Sequence, residues 1–248
     1  MKIDYQYERS DYNSKDEKLE DAIDKPNLSN IESQDPSLSN GYTIIFNKEV
    51  PLDLKLETKD GLKDVGSYEL INFKLLSNSI NKEEAPIKIK LELTWEKDLF
   101  FHYTNVVKKK DFEDIKNNQN LNIDFTQYGN LIRTLCDNCI NLPDTYIGEF
   151  IIKKGGISKL QFVKVSDFKV LDLLMLEFKN STDKNIKKQI LYRFSYLKSK
   201  LEYNKKVLKA AGDVILECNP DVIQPILEKN DGYNLNINKF FGNIDEGK

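Results

Sequence analysis

Ser158–Phe178 decides the reading: Ser-Lys-Leu-Gln-Phe-Val-Lys-Val-Ser-Asp-Phe-Lys-Val-Leu-Asp-Leu-Leu-Met-Leu-Glu-Phe. Leu160, Phe162 and Val165 supply one apolar run, and Val170 to Leu176 a second. The second is nearly continuous, which predicts a strand buried on both faces. Ser166 and Asp167 between the runs are turn formers, so the stretch reads as two strands joined at a break. Phe168 stands at the tip of that break. Burying such a ring is worth roughly 1.5–3 kcal/mol, so it is expected to find a pocket. Two homes are open: a pocket within its own domain, or a pocket on another subunit, with Phe168 as the knob.

Upstream, period-two patterning dominates. Ile44, Phe46, Leu52, Leu54 and Leu56 alternate around Val50-Pro51, a strand with a bulge or edge at the proline. Lys59-Asp60-Gly61 is a turn, and Tyr68 to Leu76 continue as strand. Ile87, Ile89, Leu91 and Leu93 alternate with Lys88, Lys90, Glu92 and Thr94, the clearest half-buried strand in the chain. Phe100–Val107 return as its partner, so 87–107 reads as a hairpin. The period then changes. Asp111 is an N-cap candidate for a short helix through Phe112 and Ile115, and Thr126 opens a second with Tyr128, Leu131, Ile132, Leu135 and Cys139 on one face. Tyr146–Ile152 is again strand, and Gly155-Gly156 a turn. After Asn180 the pattern is helical. Phe194, Leu197, Leu201, Asn204, Leu208, Ala211 and Ile215 fill successive a and d positions over about three heptads. Asn204 would be the polar residue that sets the pairing. A single helix packed on the domain and fraying after Leu201 fits the same residues. Pro220 and Pro225 forbid continuation.

The expected organisation is a polar, disordered tail over 1–40, a head over 41–180 with a helical insertion at 110–141, a helix over 181–216, and a second polar tail over 217–248. The fold class is α+β, mainly β: a small β-sandwich or barrel with an inserted helix-turn-helix and a long C-terminal helix. The 248 residues, 40% of them hydrophobic, are enough for a real core. The net charge of -3 and pI of about 5.5 argue against a general affinity for nucleic acid. No apolar run spans a bilayer, and Met1–Asn13 has no apolar core, so neither membrane insertion nor a secretory leader is expected. Three cysteines without a leader point to free thiols in a reducing compartment.

No catalytic constellation, metal site or cofactor motif emerges, and no enzyme is expected. His102 is the single histidine, on a strand, where such residues are mostly structural. Cys136 and Cys139 form a CxxC at a helix end, where the dipole raises a thiol pKa, with no second CxxC. Lys108-Lys109-Lys110 reads as a solvated run, and Trp95 as packing at a strand end.

Three stretches carry a family resemblance. Ile44–Pro51 resembles the first strand of the spindle-assembly-abnormal protein six family, the centriolar cartwheel protein. Phe100–Tyr103, Lys110–Phe112 and Leu121–Phe125 resemble its hairpin and helical insertion. Ser166–Lys169 resembles its Asn-Pro-Phe-Lys turn. The match covers about 42–205. The resemblance implies a head that dimerises through the hairpin, with Phe168, flanked by Asp167 and Lys169, entering a neighbour's pocket. It also implies a parallel coiled coil with Phe194, Leu197, Leu201, Asn204 and Leu208 in its core. The insertion helices are expected to contribute to the receiving pocket, with Phe112 and Tyr128 as candidates. Two different two-fold contacts on one chain propagate into rings or spirals. The heptads stop near Ile215, so the sequence resembles the shorter "like" branch, without the long spoke. The implied place is the cytoskeleton, at a centriole, basal body or apical end of the cell. The implied partners are copies of itself and other centriolar or apical cytoskeletal proteins. The same head fold occurs in the DNA end-joining ligase scaffold, which is the alternative, and the acidic pI counts against it.

Overall fold

The structure is a computed structural model that describes residues 31–79 and 86–218, with side chains to residue 213. The chain divides into two compact units. One runs from Asp35 to Tyr192, and the described part of the other includes the helical residues from Arg193 onward.

The first unit is a closed barrel. Its strands are β1 (Tyr42–Thr58), β2 (Gly61–Asn78), β3 (Lys88–Trp95), β4 (His102–Lys108), β5 (Tyr146–Ile152), β6 (Ser158–Ser166) and β7 (Lys169–Asn180). They follow one another around the wall as β1-β2-β3-β4-β7-β6-β5, and β5 returns to β1. All contacts are antiparallel except β1 with β5, which is parallel from Leu52↔Gly148 to Leu56↔Ile152. Alternation along the strands sends Val50, Leu52, Leu54, Phe73, Leu91, Leu93, Leu160, Phe162 and Leu176 inward, where all are buried. An aromatic group closes the interior: the Phe150 ring lies 5.6 Å from Phe101, 5.0 Å from Tyr103 and 5.7 Å from Phe178.

Two helices join β4 to β5. α1 is Lys109–Asn118 and α2 is Phe125–Asn141. α1 takes Lys108 as its N-cap, three residues before the expected cap, and Asp111 falls in its first turn. α2 is held by a capping box. The Asp124 side chain accepts from the backbone at Gln127, and the Gln127 side chain accepts from the Asp124 N–H at 3.1 Å. α2 lies against β1 and β5.

The tail expected over 1–40 is corrected at its end. Pro36–Leu38 form a 3-10 turn in which Asp35 and Ser37 are buried. The Asp35 carboxylate accepts from Lys74 Nζ at 2.7 Å and from the Ser37 N–H at 2.8 Å. Ser37 Oγ donates to the buried Glu92 carboxylate and accepts from Lys74 Nζ at 3.2 Å and Gln189 Nε2 at 3.0 Å. These polar groups are buried, so they need one another. The strap thereby ties the barrel wall to the first turns of α3 (Asp183–Cys218), where Ile186 and Gln189 are buried. The tails expected over 1–30 and 219–248 lie outside the described residues.

β1 runs unbroken through Pro51, with its register shifts at Ile44/Phe46 and around Leu54 rather than at the proline. Pro51 precedes the first β5 pairing at Leu52, so its missing N–H faces no partner strand on that side. The close approach of β5 to β1 requires glycine: a Cβ on Gly148 would collide with Leu52 Cδ2. Gly148→Ala is therefore expected to destabilise the head by about 1–3 kcal/mol. The check is urea denaturation, with the midpoint falling at an unchanged slope.

Candidate functional site

β6 and β7 pair from Ser158↔Phe178 to Ser166↔Lys169, with one register shift at Phe162/Val163. The connection is the two residues Asp167 and Phe168, neither with a positive φ. Ser166 Oγ donates to the Lys169 carbonyl at 2.7 Å and ties the turn. The tip is thus held by a long ladder rather than by a loose loop. Phe168 is 99% exposed. The pocket in its own domain is overturned, because the hairpin carries the ring past the barrel rim. Val170 and Leu171 are exposed for the same reason, at 57% and 39%. The expectation of burial on both faces holds for neither of them. Only the far half of β7 lines the barrel, and there Leu174, Leu176 and Phe178 alternate inward. Asp167 and Lys169 flank the ring and are also exposed.

A groove opens on the other side of β7. β4 pairs with β7 only at Tyr103↔Asn180 and Thr104↔Lys179. Toward the hairpin tip the two strands part and α1 enters the seam. The Gln119 amide substitutes for a strand neighbour: its Oε1 accepts from the Met175 N–H at 2.7 Å and its Nε2 donates to the Met175 carbonyl at 2.9 Å. Asn105 Nδ2 donates to the Glu177 carbonyl at 2.7 Å. The groove encloses about 570 Å³, with Val106, Ile115 and Met175 as apolar lining and Asp111, Asp114 and Glu177 outnumbering Lys179 as charged lining.

The pocket candidates Phe112 and Tyr128 are corrected. Both are fully buried, their rings 5.0 Å apart and packed against Phe125 at 5.5 and 6.2 Å. They hold α1 to α2 and present no surface. α1 does line the groove, through Asp111, Asp114, Ile115 and Asn118. Those positions follow i, i+3, i+4, i+7, a second face of the same helix. That spacing is present in the sequence, on a face of α1 other than the one that carries Phe112.

Cys136 and Cys139 are free and buried. Burial pushes the Cys136 thiol well up, with Cys139 and Asp137 adding to it, and burial pushes Cys139 up to about 12. His102 is buried, its Nδ1 2.7 Å from Ser181 Oγ at the start of α3. Among the described residues no group of three His, Cys, Asp or Glu could hold a metal ion, and no helix is long and apolar enough to cross a membrane. On α3, Phe194, Leu197, Leu201 and Leu208 are 56–68% exposed, and Asn204 is exposed between them.

Residues 44–178, just over half of the 248, match the family model described as the centriolar protein SAS N-terminal domain. The chain belongs to this family. The spindle assembly abnormal protein 6 homolog of Danio rerio is 26% identical over 185 residues, which is 71% of this chain and 29% of that protein. The chain therefore spans under a third of the relative's length. A Leishmania SAS-6 N-terminal fragment containing parts of its coiled coil domain, as an F257E mutant, aligns with a TM-score of 0.60 at 12% identity, covering 73% of this chain and 98% of that one. An N-terminal coiled-coil dimer of C. elegans SAS-6 aligns with a TM-score of 0.52 at 12% identity, covering 64% of this chain and 93% of that one. At these identities the likeness shows the fold. The α+β head, its helical insertion and its C-terminal helix are those of SAS N-terminal domains.

The thiols of this SAS head carry a direct test. At pH 8 native Cys136 and Cys139 are expected to label with a maleimide at least about 100-fold more slowly than in urea, since both thiolates are suppressed and both sulfurs buried. Peptide mapping by mass spectrometry separates them from Cys218.

Proposed function

We propose that this chain is a self-assembling structural scaffold of a centriole, a basal body or an apical microtubule-organising structure, acting through head–head homodimerisation. One observation carries the reading: a phenylalanine held 99% exposed at a braced hairpin tip. Its burial is worth roughly 1.5–3 kcal/mol, and no pocket in its own head takes it.

The receiving site is the groove between β4, α1 and β7 of a second copy. Ile115, Val106 and Met175 offer the ring an apolar wall, and Asp111, Asp114 and Glu177 face the Lys169 that accompanies it. Knob and groove lie on the same strand, Phe168 and Met175 being about 23 Å apart at strand rise. A two-fold axis between them seats both knobs at once, the isologous arrangement of most dimers. One knob per side makes a small interface, under roughly 1,200 Å². It gains strength by multivalency when α3 pairs through Phe194, Leu197, Leu201, Asn204 and Leu208. Two different two-fold contacts then propagate into a ring or spiral. The finer reading is the shorter branch of the family, at the apical end of the cell, with other centriolar or apical cytoskeletal proteins as partners. It rests on heptads that end near Ile215 ahead of Pro220 and Pro225.

Phe168→Glu is expected to weaken concentration-dependent association by about 100-fold with the melting temperature unchanged. Ile115→Glu, on the receiving side, is expected to do the same. Sedimentation velocity decides it, and a Phe168→Glu chain that associates like wild type ends the knob assignment. A tagged copy is expected to coincide with apical rather than centriolar markers, and centriolar labelling alone would remove the shorter-branch reading.

A further inference from the structure

We infer that two heads also join backbone to backbone, the free edge of β7 at Val170 and Asp172 pairing antiparallel with the same edge of a second copy across an axis at Leu171. The inference rests on the head–head reading above and adds a second, sequence-independent contact to it.

β7 has β6 on one side along its whole length. On its other side the partners run out one by one. Asn180 and Lys179 pair with β4, the Glu177 carbonyl takes Asn105, and Met175 takes both ends of the Gln119 amide. Nearer the tip, among the described residues, no strand and no side chain takes the backbone of this edge. A two-residue turn makes Ser166 and Lys169 a hydrogen-bonded pair, so Lys169 and Leu171 direct their N–H and C=O groups at β6. Val170 and Asp172 direct theirs outward. β7 contains no proline, and Val170 and Leu171 are exposed between the charged Lys169 and Asp172, ahead of the register shift at Phe162/Val163. An open apolar edge is a template for another strand.

The numbering of this one strand then fixes how two copies meet. Placing the axis at Leu171 sets Val170 opposite Asp172 of the second copy, and Asp172 opposite its Val170. Both outward-facing residues on each chain are thereby satisfied, by about four hydrogen bonds in all. Each further step toward the tip on one copy is a step toward the barrel on the other. The ladder ends there, because Asp167 and Phe168 leave the strand in the turn and the register shift at Phe162/Val163 sets Leu173 out of step, and the turn carries Phe168 on toward the groove at Met175. Met175 is where Gln119 has already taken the outward groups, and it lines the groove. Strand pairing therefore stops where the knob's groove begins, and the same register serves both contacts. Charge agrees with it, since Lys164 and Lys169 on the hairpin approach the acidic groove lined by Asp111, Asp114 and Glu177. Gln119 is the stop that keeps the pairing at this register.

Site-directed disulfides read the register. Leu171 lies on the axis as a non-hydrogen-bonded pair, with Cα atoms about 4.5 Å apart, inside disulfide reach. In the 248-residue chain carrying Cys218→Ser, with Cys136 and Cys139 buried, Leu171→Cys is expected to oxidise to a covalent dimer at least about tenfold faster than Val170→Cys or Asp172→Cys alone. Mixing the Val170→Cys and Asp172→Cys chains is expected to give the cross-linked heterodimer. Adding Phe168→Glu to Leu171→Cys is expected to abolish the linkage. If wild type associates in a Phe168-dependent way while Leu171→Cys links no faster than its neighbours, the edge pairing is overturned and the scaffold reading stands. If wild type does not associate at all, both fall.

Discussion

Two residue pairs, Tyr103↔Asn180 and Thr104↔Lys179, hold the barrel shut between β4 and β7. The groove and the open edge of β7 follow from how short that contact is. Had the two strands paired to their ends, β7 would carry neither a groove nor an open edge. Because they part, α1 enters the seam and Gln119 stands in for a missing strand at Met175. The rest of the wall compensates. The parallel contact of β5 with β1, tight enough to require glycine at position 148, closes the other side. The ring group around Phe150 fills the centre.

The hairpin that projects from this wall exposes Phe168, Val170 and Leu171 while the strands beneath it stay fixed by a full ladder. A flexible loop would lose conformational entropy on binding; a braced one loses little. The strap at Asp35–Leu38 applies the same principle at the foot of α3. Its buried carboxylates, lysines and Ser37 satisfy one another and fix the first helical turns against β2 and β3. Leaving any one of them unpaired would cost about 1–3 kcal/mol. The hairpin and the first turns of α3 are thus each seated on the barrel by a defined set of bonds.

Local chemistry made much of this legible. The alternation at Ile89–Leu93, the shift to helical spacing after Asp111 and the apolar stripe on α3 were readable because each depends on neighbours three or four residues away at most. The turn at Asp167-Phe168 was readable for the same reason. α2 begins at Phe125, one residue before the expected opening at Thr126, because Asp124 and Gln127 cap through side chains that the apolar pattern does not mark. The end of the N-terminal tail was missed because Asp35 and Ser37 look like solvent residues until Lys74, Glu92 and Gln189 enclose them.

By itself the sequence determined the strands, the inserted helical pair, the long helix and the aromatic at the bend. Periodicity and turn chemistry are local, and a chain of this composition satisfies them in one way. Only the tertiary structure decided that Phe168 has no home in its own head, that Phe112 and Tyr128 are sealed inside, and that Asp111, Asp114 and Ile115 line a groove instead. Exposure depends on which strands close the barrel. The parallel pairing of β1 with β5 joins residues about a hundred positions apart, and no short-range pattern encodes it.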